Sequence, residues 1–248
     1  MPRALAAIVL ASLGVLLPLP AQSGPPFVTD DPEPVAPQHW EIYAGYSLTN
    51  DANAHTGALP FVEGNWGPRR NVQLSLVVAN AFSTQHGALT FGLGDLELGL
   101  KYRFVPEGRV RPQIALYPIV SVPTGDPSRD LGEGAAAVFL PLWLQKQVGA
   151  FTIYGGGGLW NRGGGSPGRW GQTGITIEAA VGGRAMIGAE TYRIGAQDRD
   201  DPAYTALTFG AAYTLDAGHR ILASLGRSSR GAAHSTAYLA IETLLGHR

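Results

Sequence analysis

The sequence lacks cysteine and holds only two lysines, Lys101 and Lys146, among its 248 residues. The absence of cysteine excludes disulfide bonds, thiolate metal ligands and cysteine nucleophiles. A formal net charge of −1 gives no electrostatic reason to expect nucleic acid or an anionic membrane surface as a partner. The longest apolar run beyond the N-terminal region, residues 135–144, is interrupted by Pro141 and falls short of the roughly twenty residues that a membrane-spanning helix needs. We therefore expect no transmembrane helix in the mature protein.

The first 23 residues have the pattern of a secretory signal. Arg3 precedes an apolar run over residues 4–17, and the small residues Ala21 and Ser23 mark a cleavage region. We predict a signal peptide over residues 1–23, removed after Ala21 or Ser23, and hence an exported protein. Without a transmembrane helix, such a chain can enter a membrane only as a closed β-barrel, because every backbone polar group in lipid needs an internal partner.

Residues 24–39 are rich in proline, which removes backbone donors and restricts the preceding residue. No regular structure is predicted there. The segment also carries Asp30, Asp31 and Glu33, which lack the alternating spacing and the glycine turn of a calcium loop. We interpret residues 24–39 as a proline-rich N-terminal arm that is either solvated or tucked into a lumen.

Residues 93–104 separate apolar from polar side chains at every second position. One face carries Leu96, Leu98, Leu100, Tyr102 and Phe104, and the other carries Asp95, Glu97, Gly99, Lys101 and Arg103. This period of two predicts a β-strand with one apolar and one charged surface. In a soluble sandwich the apolar face would meet a second sheet, whereas in an outer-membrane barrel it would meet lipid and the charged face a wet lumen.

The connections between strands favour the barrel. The pattern predicts twelve strands, at residues 40–49, 58–66, 72–78, 93–104, 109–122, 135–147, 150–160, 172–181, 184–192, 204–215, 220–226 and 234–245. Long connections (50–57, 80–92, 123–133, 161–170, 193–203 and 227–234) alternate with short ones (67–70, 105–108, 147–149, 182–183 and 216–219). Long loops on one side, short turns on the other and an even strand number predict one all-β domain, an antiparallel outer-membrane β-barrel over residues 40–248.

Aromatic residues fall mostly near the predicted strand ends, where amphipathic rings favour a membrane interface. The residues of this predicted girdle are Trp40, Tyr46, Trp66, Tyr102, Phe104, Trp143, Trp160 and Tyr213. The alternative is that aromatic residues simply favour strands.

Ten charged residues lie on the polar faces of the predicted strands and become the candidates for the lining of a lumen. They are Glu41, Glu63, Asp95, Glu97, Lys101, Arg103, Glu178, Arg184, Glu190 and Glu242. Most of them are expected to pair structurally with one another, because a barrel of this size is partly filled by its own side chains. The others would touch a solute.

Catalytic and metal-binding patterns are weak. The six histidines show no metal-ligand spacing, so neither a metal nor another cofactor is predicted. His234-Ser235 could suggest an outer-membrane acyl hydrolase, but adjacent residues of a regular strand point to opposite faces and cannot share one site. The glycine runs at residues 155–158 and 163–165 lack the strand-to-helix context of a phosphate loop. The sequence does not predict an enzyme.

Several segments resemble a known family. Residues 24–34, Gly-Pro-Pro-Phe-Val-Thr-Asp-Asp-Pro-Glu-Pro, with His39-Trp40-Glu41 after them, are similar to the N-terminal signature of the outer-membrane protein family named for the MetA pathway of phenol degradation. Residues 92–95, 99–102 and 123–126 resemble its central motifs, while residues 187–192 match its Gly-Gly-Glu stretch only loosely. The resemblance covers nearly all of the mature chain. It implies an outer-membrane protein of Gram-negative bacteria that moves aromatic compounds.

Three functions remain open at this stage. The first is a porin-like channel that passes a small, hydrophobic or aromatic solute by diffusion, gated by loops or by the N-terminal arm. The second is a structural or adhesion-type barrel with a plugged lumen, and the third is a lipid-modifying outer-membrane enzyme. For all three we expect the barrel-assembly machinery as a partner.

Overall fold

The computed structural model describes residues 25–51, 54–85, 88–164, 168–197 and 202–246. The predicted signal peptide lies outside these residues. The strands are β1 (His39–Asp51), β2 (Ala54–Arg69), β3 (Val72–Gln85), β4 (Ala88–Leu93), β5 (Leu96–Val105), β6 (Gln113–Leu116), β7 (Ile119–Val122), β8 (Ala137–Val148), β9 (Phe151–Arg162), β10 (Arg169–Val181), β11 (Ala185–Ile194), β12 (Tyr204–Thr214), β13 (His219–Gly231) and β14 (His234–Gly246). A single 3-10 turn, Pro127–Arg129, is the only helical element among the described residues. No described helix is long and apolar enough to cross a membrane.

The strands form one closed antiparallel barrel. Most strands pair with their sequence neighbours, and β1 pairs with β14 from His39 opposite Gly246 to Asp51 opposite His234. β4 and β5 both pair with β3 and together make one barrel strand, and β6 and β7 together fill the place between β5 and β8. The barrel therefore has twelve strands, which confirms the predicted fold class.

The break between β6 and β7 follows from proline chemistry. Pro118 has no N–H to donate to a neighbouring strand. Its carbonyl still accepts a hydrogen bond from the Leu100 N–H at 3.0 Å, and the adjacent Tyr117 N–H donates to the carbonyl of Pro141 at 3.3 Å. The wall is therefore irregular here but remains hydrogen-bonded.

The exposure of the side chains of β5 shows which of its two faces points outward and which points into the lumen. Leu98, Leu100 and Phe104 are 45–49% exposed, whereas Lys101 is only 3% exposed. The apolar row therefore forms the outer, lipid-facing surface and the charged row faces the lumen, as the period of two predicts.

The predicted contrast in loop length is only partly correct. Strands continue through most of the predicted loops 50–57, 80–92 and 227–234, because β1, β3 and β13 extend to Asp51, Gln85 and Gly231. Polar residues such as Thr49 and Thr56 face each other there and keep the ladder intact.

The orientation of the barrel follows from its longest connection. The longest described connection at the end opposite the chain termini is 123–136. We therefore take that end as extracellular and the end with the chain termini as periplasmic.

The aromatic girdle was also only partly predicted. Trp40 stacks on Trp66 at 5.7 Å, and Tyr102 and Tyr213 are exposed on the outer surface near the periplasmic end. The placement of Trp143 and Trp160 in this girdle was wrong. Both rings lie inside the barrel: Trp143 is 1% exposed, and Trp160 stacks at 4.8 Å on Phe139, which is itself buried. β8 is apolar on both faces, so its sequence alone did not reveal which row points inward.

Candidate functional site: the lumen and the segment inside it

Residues 25–38, called the N-terminal segment below, occupy the barrel interior. They form no strand, yet Thr29, Asp31 and Val35 are at most 4% exposed, because the inner faces of the strands surround them. The chain reaches this position directly from the start of β1. The outcome matches the lumen-tucked form of the arm rather than the solvated one.

The N-terminal segment enters the barrel at its periplasmic rim. The Gln38 N–H donates to the Gly67 carbonyl at 2.6 Å, and the Gln38 side-chain amide donates to the Pro68 carbonyl at 2.7 Å. Gly67 has to lack a side chain, because a Cβ there would collide with the carbonyl oxygens of Val35 and Ala36. Deeper in the barrel than Gln38, the Val35 N–H donates to Oε1 of Gln73 at 3.0 Å.

Two cations on β5 hold the acidic part of the segment. Nζ of Lys101 lies 3.0 Å from Oδ1 of Asp30 and 3.7 Å from Oδ2 of Asp31. Nη1 of Arg103 donates to Oε1 of Glu33 at 2.7 Å. Because Lys101 and Arg103 are two positions apart on one strand, both point inward and meet the acids in order.

Asp30 and Asp31 share one ammonium group, and they differ in their surroundings. The side chain of Asp30 is 24% exposed, whereas that of Asp31 is fully buried. Burial raises the pKa of Asp31 well above its usual value, while the charge of Lys101 opposes this rise. Asp30 makes the shorter contact with Lys101, so we treat it as the main ion-pair partner, whereas burial favours the protonated form of Asp31.

The far end of the segment is held at mid-barrel. The carboxylate of Glu190 accepts hydrogen bonds from the Val28 N–H, at 3.2 Å, and from the Thr29 N–H. On the neighbouring wall, the Ser224 hydroxyl donates to the Pro26 carbonyl at 2.7 Å.

The Phe27 ring lies against two glycines of the wall, Gly188 on β11 and Gly210 on β12, which are direct partners in the ladder. A Cβ at either glycine would lie 2.7 Å from the ring. These two glycines therefore form the bare surface on which the ring packs.

The remaining inner wall is a hydrogen-bonded polar network. Arg220 donates to Glu242, which is fully buried. The Tyr43 hydroxyl oxygen lies 3.4 Å from a carboxylate oxygen of Glu242 and 3.4 Å from one of Glu41, and it can donate its one proton to either. The Tyr154 hydroxyl donates to Glu178 at 2.7 Å. Acids in this part of the wall are therefore tied to neighbouring side chains.

Most of the charged residues singled out in the sequence have inner-face positions in the structure. They are Glu41, Glu63, Glu97, Lys101, Arg103, Glu178, Glu190 and Glu242. Lys101, Arg103 and Glu190 contact the N-terminal segment, and Glu63 accepts from the Asn65 amide at 2.8 Å.

Two of the predicted candidates lie elsewhere. Arg184 is exposed in the turn between β10 and β11, so its placement on the inner face of a strand was wrong. Asp95 lies between β4 and β5, where its carboxylate accepts from the Gly125 N–H at 2.9 Å and the Glu133 N–H at 2.8 Å. It anchors the loop 123–136 across the extracellular end.

The extracellular half of the lumen carries an aromatic wall that the sequence reasoning did not identify. Phe139, Trp160 and Trp170 stack in series, with centroids 4.8 and 5.7 Å apart. The aromatic surface continues on the next two strands, where the Tyr192 and Tyr204 rings are 6.1 Å apart and Trp170 packs against their cluster. The sequence could have indicated the inward position of Trp160, because Trp160 is an even number of residues from the polar Thr152 and therefore lies on the same face of β9.

The periplasmic mouth is polar. A cavity of about 590 Å³ below the segment is lined by Glu33, Arg70, Arg103, Gln113 and Gln145, among others. Among the described residues, no three histidine, aspartate or glutamate side chains come together as a metal site.

The catalytic pair considered in the sequence is split between two faces. The His234 ring stacks at 4.2 Å on Tyr204 inside the barrel, whereas the Ser235 hydroxyl accepts from the Asn50 amide at 3.4 Å. These two side chains therefore do not act on one substrate.

No family model matches the sequence, and no curated protein matches it. Several solved structures match the fold of the chain. The COG4313 outer membrane channel from Pseudomonas putida F1 has a TM-score of 0.66 and 17% identity, covering 90% of this chain and 100% of that one. The KdgM porin in complex with disordered oligogalacturonate has a TM-score of 0.57 and 9% identity, covering 82% and 98%. The translocator domain of the autotransporter NalP from Neisseria meningitidis has a TM-score of 0.55 and 12% identity, covering 82% and 88%. The chain thus has the fold of outer-membrane β-barrels, a fold that channels and porins share.

Proposed function

We propose that the protein is an outer-membrane channel for passive diffusion of a small solute and that the N-terminal segment controls its opening. The observation that carries this proposal is how the segment is held. It joins no β-ladder and is tied to the wall by side-chain contacts at Gln73, Lys101, Arg103, Glu190 and Ser224. Such a segment can leave the lumen without breaking a single strand pair.

The aromatic wall supports a hydrophobic or aromatic solute. Its stacked rings lie on the extracellular half of the path, where a planar solute can stack edge or face against them. The polar mouth below the segment gives the same solute a wet exit on the periplasmic side. Diffusion along this path needs no cofactor.

Planar bilayers test the gating part of the proposal. We expect low conductance for the mature full chain and a larger, steadier conductance for a variant that lacks residues 25–37. Faster migration of unboiled than boiled protein on a gel confirms in each case that the barrel is folded. Equal conductance of the two folded proteins would contradict control by the segment.

Liposome flux tests the solute class. We expect 4-nitrophenol to enter faster than glucose through the shortened protein. The substitutions F139L and W160L should slow the aromatic probe but not the sugar, and F104L, which removes an outer-facing ring, is the matched control. Equal slowing of both probes would contradict a preference of the channel for aromatic solutes.

A barrel with a permanently plugged lumen, whose role lies in its outer loops, is the second candidate. It is favoured by the full burial of Asp31 and of much of the segment, which leaves the closed lumen well packed. Absence of conductance in both the full and the shortened protein would select this candidate.

A further inference from the structure

The outer wall of the barrel carries a group of three arginines at its extracellular end: Arg193, Arg227 and Arg230, called the outer arginine cluster below. Arg193 is exposed between the buried Tyr192 and Ile194, so it points away from the lumen. Arg227 lies two positions after Leu225, which is 69% exposed, and therefore shares its outer face.

The strand register brings these arginines together. Arg193 on β11 and Arg230 on β13 are both opposite Thr205 of β12, and Arg227 is opposite Leu207. Neighbouring strands are about 4.8 Å apart, so the backbones of Arg193 and Arg230 are roughly 10 Å apart. One ligand of modest size can reach all three guanidinium groups.

The cluster lies at the upper edge of the apolar belt. On β13 the outer face changes from Leu225 to Arg227, and on β1 it changes from Leu48 to Asn50. A cleft of about 470 Å³ opens here, and its lining includes Arg227, Arg230, Asn50 and one acid, Asp51. Asp51 is opposite His234, whose ring lies inside the barrel, so its position belongs to the inner face. This is the level at which the headgroups of the outer leaflet meet a barrel.

The arginines of the cluster lack acidic partners within the described ranges. The Arg193 guanidinium donates to the Thr205 hydroxyl at 3.4 Å. No ion pair between described residues includes Arg193, Arg227 or Arg230. Some other arginines are paired, as Arg162 is with Glu133 at 2.6 Å. Guanidinium groups at the edge of a lipid phase need counter-charges, which the surrounding leaflet can supply.

We propose that the outer arginine cluster binds the phosphate groups of a phosphorylated glycolipid in the outer leaflet. Guanidinium groups bind phosphate through paired N–H donors, and Leu207 and Leu225 beside them pack on acyl chains. The site is one-sided. At the same end of β4, on the other side of the barrel, the exposed outer residues include Leu89, Phe91 and Leu93.

The test uses the mature full chain in detergent and lipid A as the probe, with bound lipid counted by native mass spectrometry. We expect the variant R193Q/R227Q/R230Q to bind roughly a hundredfold more weakly, because each cation near an anionic surface contributes about a factor of five. The matched control R69Q/R109Q/R111Q removes three exposed arginines at the periplasmic end and should bind like the wild type. The single variant R227Q, with an expected loss of about fivefold, serves where the triple variant does not fold.

Three results would overturn the proposal. One is equal binding of chemically dephosphorylated lipid A. Another is displacement of lipid A by inorganic phosphate at similar concentration, which would make the site one for a free anion. The third concerns residues 198–201, whose sequence includes Asp198, Asp200 and Asp201. If lipid A binds only after D198N/D200N/D201N, the chain itself neutralises the cluster.

Discussion

The ammonium group of Lys101 lies 3.0 Å from the carboxylate of Asp30, joining the barrel wall to a segment 71 residues earlier in the chain. This ion pair is the clearest link between the fold and the proposed gate, because it crosses from a strand to a segment that joins no strand.

Replacement of Lys101 by glutamine should loosen the N-terminal segment. It removes the ammonium group that Asp30 contacts, at a cost of about 2 kcal/mol, which is below the value for a fully buried pair because Asp30 is partly exposed. The native chain has no cysteine, so V35C gives a single thiol in the segment. We expect faster maleimide labelling of V35C in the K101Q background.

K146Q is the matched control for this labelling. Lys146 pairs with Glu107 at 2.6 Å near the periplasmic rim, and its ammonium group donates there to Glu107 and to the Gly108 carbonyl rather than to the segment. Equal labelling of the K101Q and K146Q proteins would show that the pair does not hold the segment.

The two aspartates should respond differently to amidation. D30N removes the carboxylate nearest to Lys101 and should speed labelling of V35C, whereas D31N resembles the form of Asp31 that burial favours and should change it less. A greater effect of D31N than of D30N would show that Asp31 is the main partner of Lys101.

The raised pKa of Asp31 also predicts a pH dependence. Burial raises its pKa in the docked segment, so docking takes up a proton. The stabilisation is therefore fully present below the ordinary aspartate pKa and is lost as the pH rises through the raised value. Conductance should rise with pH over that window, and D31N should flatten the curve.

The bare glycine surface under Phe27 should be sensitive to one added methyl group. In G210A the new Cβ would lie 2.7 Å from the Phe27 ring, so the ring has to move and labelling of V35C should increase. F27A in the same protein should restore slow labelling in part. G64A is the control, because a Cβ at Gly64 meets no atom within 4 Å.

Asp95 should hold the extracellular loop 123–136. D95A removes two charge-assisted hydrogen bonds and should weaken the docking of the loop by roughly 2 kcal/mol. Trypsin should then cut faster after Arg129, which lies in this loop. D216A, in a turn at the periplasmic end, should leave this cleavage unchanged.

Export remains a prediction from the sequence. The mature protein should begin at residue 22 or 24, co-sediment with outer membranes and migrate faster unboiled than boiled. Sequencing of the mature N-terminus and fractionation check this together. A soluble periplasmic protein without a mobility shift would contradict the lipid-facing barrel.

Local alternation was sufficient for much of the fold. In β5 the alternation predicts two faces without any knowledge of the neighbouring strands. One face carries Leu98, Leu100 and Phe104, and the other carries Lys101 and Arg103. The same rule failed at Trp143. Both faces of β8 are apolar, so the alternation of its side chains does not show which face points into the lumen. It also failed at Arg184, which ends in a turn beside two glycines with positive φ angles.

The sequence by itself determined the even strand number and, wherever polar and apolar residues alternate, the two faces of a strand, because a period of two is a local property of each segment. Only the tertiary structure decided where residues 25–38 go. Closure of β1 on β14 surrounds the segment with wall, and the register of β5 brings Lys101 and Arg103 to Asp30 and Glu33. Such meetings depend on how distant strands align, and no short-range pattern encodes that alignment.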